Sequence, residues 1–150
     1  TVMPGAIEAV AALERLPASA IGIGTGNVRR GAEIKLHRCG LDARLTFGGF
    51  GCDARAREDL LRVGFERGAS RLRARVEDCA LVVIGDTPLD VGAARAVGAM
   101  SIAVCTGGHT KAELAESGAS VVLADLSDES VLVASIGALM RSAEREGRIR

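Results

Sequence analysis

Apolar positions in this chain follow two alternating spacings. Residues 20–24, 45–50, 80–85, 101–105 and 120–123 form short runs of apolar side chains and glycines with little interruption. Such runs suit strands buried on both faces, as in a parallel sheet. Longer stretches with helical spacing separate them. The first covers residues 4–15, with Ile7, Val10, Ala11 and Leu13 on one side, Pro4 at its start and Pro17 past its end. Asn27 offers an N-cap for a helix that runs through Cys39 and stops at Gly40. Further helices are expected over residues 55–69, 88–97 and 111–116. A last one starts from a cap at Ser127 or Asp128 and runs to the region of Glu144, leaving a charged, frayed tail.

Strand and helix alternate from one end to the other, with no long linker, repeat or low-complexity segment. That order predicts an α/β fold: a doubly wound parallel sheet with helices on both faces and right-handed crossovers. A chain of this length fits one domain over residues 1–150, burying roughly 70% of its unfolded surface.

Composition removes several classes of function. Hydrophobic residues make up 48% of the chain and aromatics only 2%, with no Trp or Tyr, which argues against base-stacking nucleic-acid modules. The formal net charge is zero, and the arginines at 55, 57, 62, 67, 71, 73 and 75 are interleaved with Glu58, Asp59 and Glu66. That stretch reads as a solvated helix face, and neither nucleic acid nor membrane is expected as a partner. Cys39, Cys52, Cys79 and Cys105 are widely spaced, with no Cys-x-x-Cys and no cysteine–histidine cluster. They read as reduced thiols of a cytoplasmic protein rather than as zinc ligands. No signal peptide and no apolar run of bilayer-spanning length is found.

The candidate chemistry lies where the apolar runs end. Leu81-Val82-Val83-Ile84-Gly85-Asp86-Thr87-Pro88-Leu89-Asp90 passes from a buried strand through a glycine turn into two carboxylates four residues apart. Pro88 suits the first position of a helix. Open α/β sheets bind ligands at these carboxyl ends, and two acids there suit Mg²⁺ with a phosphate. Asp90 has a simpler reading, as the third residue of a capping box that Thr87 opens. That reading leaves Asp86 unexplained. Thr25-Gly26-Asn27 ends the first run and offers a small hydroxyl, a flexible residue and helix-start amides for a phosphoryl oxygen, or else an ordinary turn. Gly22-Ile23-Gly24-Thr25-Gly26-Asn27 puts Asn where a dinucleotide-binding G-x-G-x-x-G needs its last glycine, which argues against a nucleotide-binding domain. Arg57 follows the second run and offers a cation for a transferring phosphoryl group or for the neighbouring acids. Lys35 is a rival cation, but mid-helix placement puts it further from the strand ends. Thr106-Gly107-Gly108-His109 ends the fourth run, with His109 read as a loop residue.

Together, Gly24-Thr25-Gly26-Asn27, the segment from Phe50 to Arg57, Ile84-Gly85-Asp86-Thr87-Pro88-Leu89-Asp90 and Val104-Cys105-Thr106-Gly107-Gly108 resemble the haloacid dehalogenase superfamily. The likeness is to its phosphatase branch, of the phosphoglycolate-phosphatase type. The resemblance implies that Thr25 holds a phosphoryl oxygen with Gly26 and Asn27, and that Arg57 takes the place of a basic residue more often lysine. It also implies that Asp86 binds Mg²⁺ and that Asp90 supports the metal's shell. The family's Asp-x-Asp motif supplies both the attacking carboxylate and a general acid and base; no Asp-x-Asp occurs in these 150 residues. The strand bearing it would lie between the first and third runs. The resemblance therefore implies a sheet incomplete at its central strand and no cap domain. A separate N-terminal segment or a second copy would complete that sheet. The implied function is a Mg²⁺-dependent phosphomonoester hydrolase core acting on a small phosphorylated metabolite through an aspartyl-phosphate. The alternative is a non-catalytic module of the same fold that binds or assembles through these strand ends.

Overall fold

A computed structural model describes residues 2–149. In chain order its elements are α1 (Ala6–Glu14), β1 (Ile23–Thr25), α2 (Arg29–Arg38), β2 (Gly48–Phe50), α3 (Arg57–Arg71), β3 (Val82–Gly85), α4 (Pro88–Ala96), β4 (Met100–Val104), α5 (Lys111–Glu116), β5 (Val121–Leu123) and α6 (Glu129–Arg145). A short 3₁₀ turn, Val76–Asp78, leads into β3.

Successive side chains of a strand point to opposite faces, and β4 shows what covers each one. Ile102 packs with Ala9 and Leu13 of α1 and Leu132 of α6. Its neighbour Ala103 packs with Val91 of α4 and Leu114 of α5. Helices therefore cover both faces, and all five β4 residues are buried. Pairing is parallel throughout, in two sheets: β1 with β2, and β3–β4–β5. This is the doubly wound architecture expected from the alternation of runs.

The interruption falls where the resemblance places it. Among the described residues β1 pairs only with β2 and β3 only with β4, so each keeps one unpaired edge. The two sheets nevertheless share a helical layer. Helix α3 packs on β1 and β2, α4 packs on β3 and β4, and α3 meets α4. Ile21, just ahead of β1, joins the same apolar cluster as Val82 and Ile84 of β3. Every residue of β3 is half-buried, in contrast with β4.

Several boundaries differ from the sequence reading for identifiable reasons. The ladder between β1 and β2 covers three residues, opening with the Ile23 amide donating to the Phe47 carbonyl. With pairing on one edge only, β1 has no second neighbour along which to extend. The N-cap of α2 is Val28, with no side-chain cap; the Asn27 side chain turns back to Thr25 instead. Gly40, at φ +69°, follows the helix end as expected of a C′ glycine. Helix α3 begins at Arg57 because Asp53 ties the preceding turn, accepting hydrogen bonds from the Phe50 amide and from Arg67. Helix α5 coincides with its expected range, opened by a Thr110–Glu113 capping box, and Asp128 caps α6.

Candidate active site

Thr25 ends β1, and the loop after it is pinned to the end of β2. The Gly51 amide donates to the Asn27 carbonyl at 2.8 Å, and a side chain at residue 51 would run into the Gly26 carbonyl. Thr25 Oγ1 accepts two hydrogen bonds, from the Asn27 backbone amide at 3.1 Å and from Asn27 Nδ2 at 2.9 Å. Lys35 Nζ donates to Asn27 Oδ1 at 3.0 Å. The expectation that Lys35 lies away from the strand ends is thus corrected. Helical side chains lean toward the N-terminus, and a lysine two turns into α2 reaches back to the loop.

At the end of β3, Thr87 caps α4 with Pro88 at its first position, and the reciprocal capping box with Asp90 is complete. Asp90 Oδ2 accepts from the Asp86 amide (3.2 Å), the Thr87 amide (3.1 Å) and Thr87 Oγ1 (2.8 Å). Its Oδ1 pairs with Arg57 Nη2 at 2.7 Å. The Asp90 side chain is 12% exposed and that of Arg57 48%. Both Asp90 oxygens are therefore committed to shaping the turn and holding Arg57. The Asp86 carboxylate, by contrast, accepts no hydrogen bond and forms no ion pair among the described residues. The glycine loop after β4 crosses directly over it, and a Cβ at Gly107 would come within 2.6 Å of Asp86 Oδ2. Next to that glycine, Thr106 Oγ1 is buried without a hydrogen-bond partner among the described residues.

A polar knot ties the turn between β2 and α3, the helix that Arg57 opens. Arg67 donates both guanidinium nitrogens to Asp53, at 2.6 and 2.8 Å, and one of them also to the Gly48 carbonyl at 2.6 Å. The Arg67 guanidinium and the Phe50 amide hold the Asp53 carboxyl down at about 2. Beside Arg57 a hollow of about 480 Å³ opens between the starts of α3 and α4, floored by Pro88, Gly92 and Ala93.

The structure therefore gathers the expected residues into two networks. Thr25, Asn27 and Lys35 form one at the end of β1. Arg57, Asp90, Thr87 and the Asp86 amide form the other at the end of β3. No hydrogen bond or ion pair joins the two among the described residues. His109, in the loop ahead of α5, bonds to neither network among the described residues, its ring nitrogen lying 3.9 Å from Glu113 Oε2. The donors suit Mg²⁺ in a limited way. No group of three His, Cys, Asp or Glu side chains is gathered among the described residues. One free carboxylate at a strand end still fits an ion that takes one or two protein carboxylates and fills its shell with water and phosphate. The sequence reading missed the Asp53–Arg67 knot and the partnerless Thr106. An acid and an arginine either side of a helix start, and a threonine ahead of paired glycines, were the only signals.

Residues 61–129 match a family model described as HAD-hydrolase-like, a stretch that includes Asp86, Asp90 and the glycine loop after β4. No curated protein matches the chain. Among solved structures, a hydrolase from Pseudomonas syringae superposes with a TM-score of 0.67 at 28% identity, over 89% of this chain and 62% of its own. A predicted phosphatase from Clostridium acetobutylicum superposes with a TM-score of 0.68 at 19% identity, over 86% of this chain and 58% of its own. A conserved haloacid dehalogenase-like protein of unknown function from Agrobacterium tumefaciens gives 0.63 at 20% identity, over 90% and 61%. The chain spans about three fifths of the length of each of these structures.

Proposed function

We propose that this chain is a haloacid dehalogenase-like hydrolase, as the match over residues 61–129 supports, and that it forms the phosphoryl-binding part of a Mg²⁺-dependent phosphomonoester hydrolase. The substrate class is a small phosphorylated metabolite. The Thr25 hydroxyl and the Gly26 amide would hold phosphoryl oxygens, while Asn27, whose backbone amide donates to Thr25 Oγ1, would orient that hydroxyl. Arg57, already paired with Asp90, would offset charge on the transferring group. Asp86 would hold Mg²⁺, with Asp90 fixing the Asp86 backbone rather than binding the ion itself. When bound, the ion supplies charge neutralisation at the phosphoryl oxygens. The attacking aspartate is not among these 150 residues. It would come from a segment that fills the space between β1 and β3, either a separate N-terminal segment or a second copy. That carboxylate would attack phosphorus and the ester P–O bond would break. The alcohol would leave with a proton from the second aspartate of that segment, and water, giving a proton back to the same aspartate, would then hydrolyse the aspartyl-phosphate to inorganic phosphate and the free carboxylate.

The observation that carries this reading is Asp86. Asp90 accepts from its backbone amide, and its carboxylate has no partner among the described residues. The committed oxygens of Asp90 favour a second reading, a non-catalytic module that binds an anion or partner at the same strand ends.

Hydrolysis of p-nitrophenyl phosphate with Mg²⁺ separates the two readings. The chain is assayed alone and mixed with a peptide carrying an Asp-x-Asp-x-Thr strand. The proposal expects no turnover alone, turnover in the mixture, and a loss of at least about 100-fold in D86N. Turnover by the chain alone would refute an external nucleophile. An inactive mixture that still binds inorganic phosphate would favour the non-catalytic module.

A further inference from the structure

We infer that Lys35 is a positioning residue of the phosphoryl site, acting through Asn27 to make the Thr25 hydroxyl a hydrogen-bond donor and nothing else. The inference rests on the phosphate-site reading above. Lysine carries three donors and no acceptor. With Nζ 3.0 Å from Asn27 Oδ1, it leaves the Asn27 amide only one favourable orientation. The NH₂ group must then face Thr25, where Nδ2 lies 2.9 Å from Oγ1. The Asn27 backbone amide donates to the same oxygen at 3.1 Å. Both lone pairs of Oγ1 are thereby occupied, and the hydroxyl proton has to point elsewhere. A hydroxyl in that state recognises an acceptor oxygen, such as those of a phosphoryl group, and has nothing to offer an N–H or O–H donor.

Lys35 has the reach for this role. It is seven residues into a helix that rises about 1.5 Å per residue, so it stands about 9 Å above the first residue of α2. Its stem leans back toward the helix start. Without it, the Asn27 amide could turn its oxygen toward Thr25 and take the hydroxyl proton for itself. The site would then lose a donor while the fold, in which Lys35 is an exposed side chain, stays intact. This separates a positioning role from a direct one. A lysine that touched the anion itself would act independently of the threonine.

The test is titration of the full chain with inorganic phosphate, followed by amide chemical shifts, in wild type, K35M, K35R, T25V and K35M/T25V. Loss of one oriented donor to an anion predicts about five- to tenfold weaker binding in K35M, and at least as much in T25V. The double variant should bind no more weakly than T25V, because Lys35 acts only through that hydroxyl. K35R should stay within about twofold of wild type, and the Asn27 side-chain NH₂ resonances should move in K35M even without phosphate. Wild-type affinity in K35M would overturn the inference. So would a double variant in which the two losses multiply, the mark of a direct cation. Phosphate failing to bind the wild-type chain would instead overturn the phosphate-site reading, and this inference with it.

Discussion

Asp86 and Asp90 are four residues apart and do opposite work. Asp90 satisfies two backbone amides, a hydroxyl and a guanidinium. Replacing it with alanine removes a helix cap, expected to cost about 1 kcal/mol. The half-exposed Arg57 pair adds no more than several tenths. Urea unfolding should show D90A destabilised by about 1–1.5 kcal/mol. D86N should fall within about 0.5 kcal/mol of wild type, because no group among the described residues bonds to that carboxylate. A D86N variant destabilised as much as D90A would mean that Asp86 is structural. Asp53 makes a prediction in pH. Its carboxyl is held at about 2, below the ordinary 3.8, so the folded state binds that proton less readily than the unfolded chain. The stability this contributes is fully present above pH 3.8 and is lost as pH falls toward 2. D53N should therefore lower stability at neutral pH and flatten its decline between pH 4 and 2, measured by thermal unfolding across that window. Of these roles, the sequence carried the Asp90 cap in Thr87-Pro88-Leu89-Asp90. It could not carry the partnership with Arg57 or that of Asp53 with Arg67, because each joins residues on different elements.

At the scale of elements, glycines decide how closely the layers approach. Gly49 of β2 lies under α3, and a methyl group there would collide with the Leu60 carbonyl. A backbone atom cannot move aside as a flexible side chain can. G49A should cost about 3 kcal/mol by displacing α3, and with it Arg57. Gly92, on the exposed side of α4, has nothing within 4 Å of its missing Cβ. G92A should stabilise by about 0.5–1 kcal/mol through helix propensity alone. Paired denaturant titrations check both, and equal effects would contradict the packing argument. Helices were the more legible elements, because caps and glycine stops are local: Thr110 with Glu113, Asp128 and Gly40 all act within a few residues. The first two strands were read too long, since their length depends on a neighbour that their own residues do not specify. Asn27 was misread for a related reason. Its side chain had two possible partners, and Lys35, from the next helix, decided between them.

For the molecule as a whole, the missing pairing between β1 and β3 is the dominant feature. Unpaired edges leave backbone groups open to water and to other chains. Amides of residues 23–25 and 82–85 should exchange with solvent at least about tenfold faster than those of residues 102 and 103, which pair on both sides. Uniform protection would show that the two sheets close on each other in solution. The interruption was legible in the sequence through the absence of Asp-x-Asp, whereas the spatial relation of the strand ends was not, since no single run records which edges meet. The central claim is that the ends of β1 and β3 form one oxyanion and metal site. Titration of the chain with inorganic phosphate and Mg²⁺, mapped by amide chemical shifts, tests it most directly. The account predicts that Gly26, Asn27, Arg57 and Asp86 shift together along one binding curve, and that D86N abolishes the Mg²⁺ dependence. Shifts confined to the arginine-lined hollow beside Arg29, Arg30 and Arg38, with residues 25–27 and 86 unmoved, would contradict it.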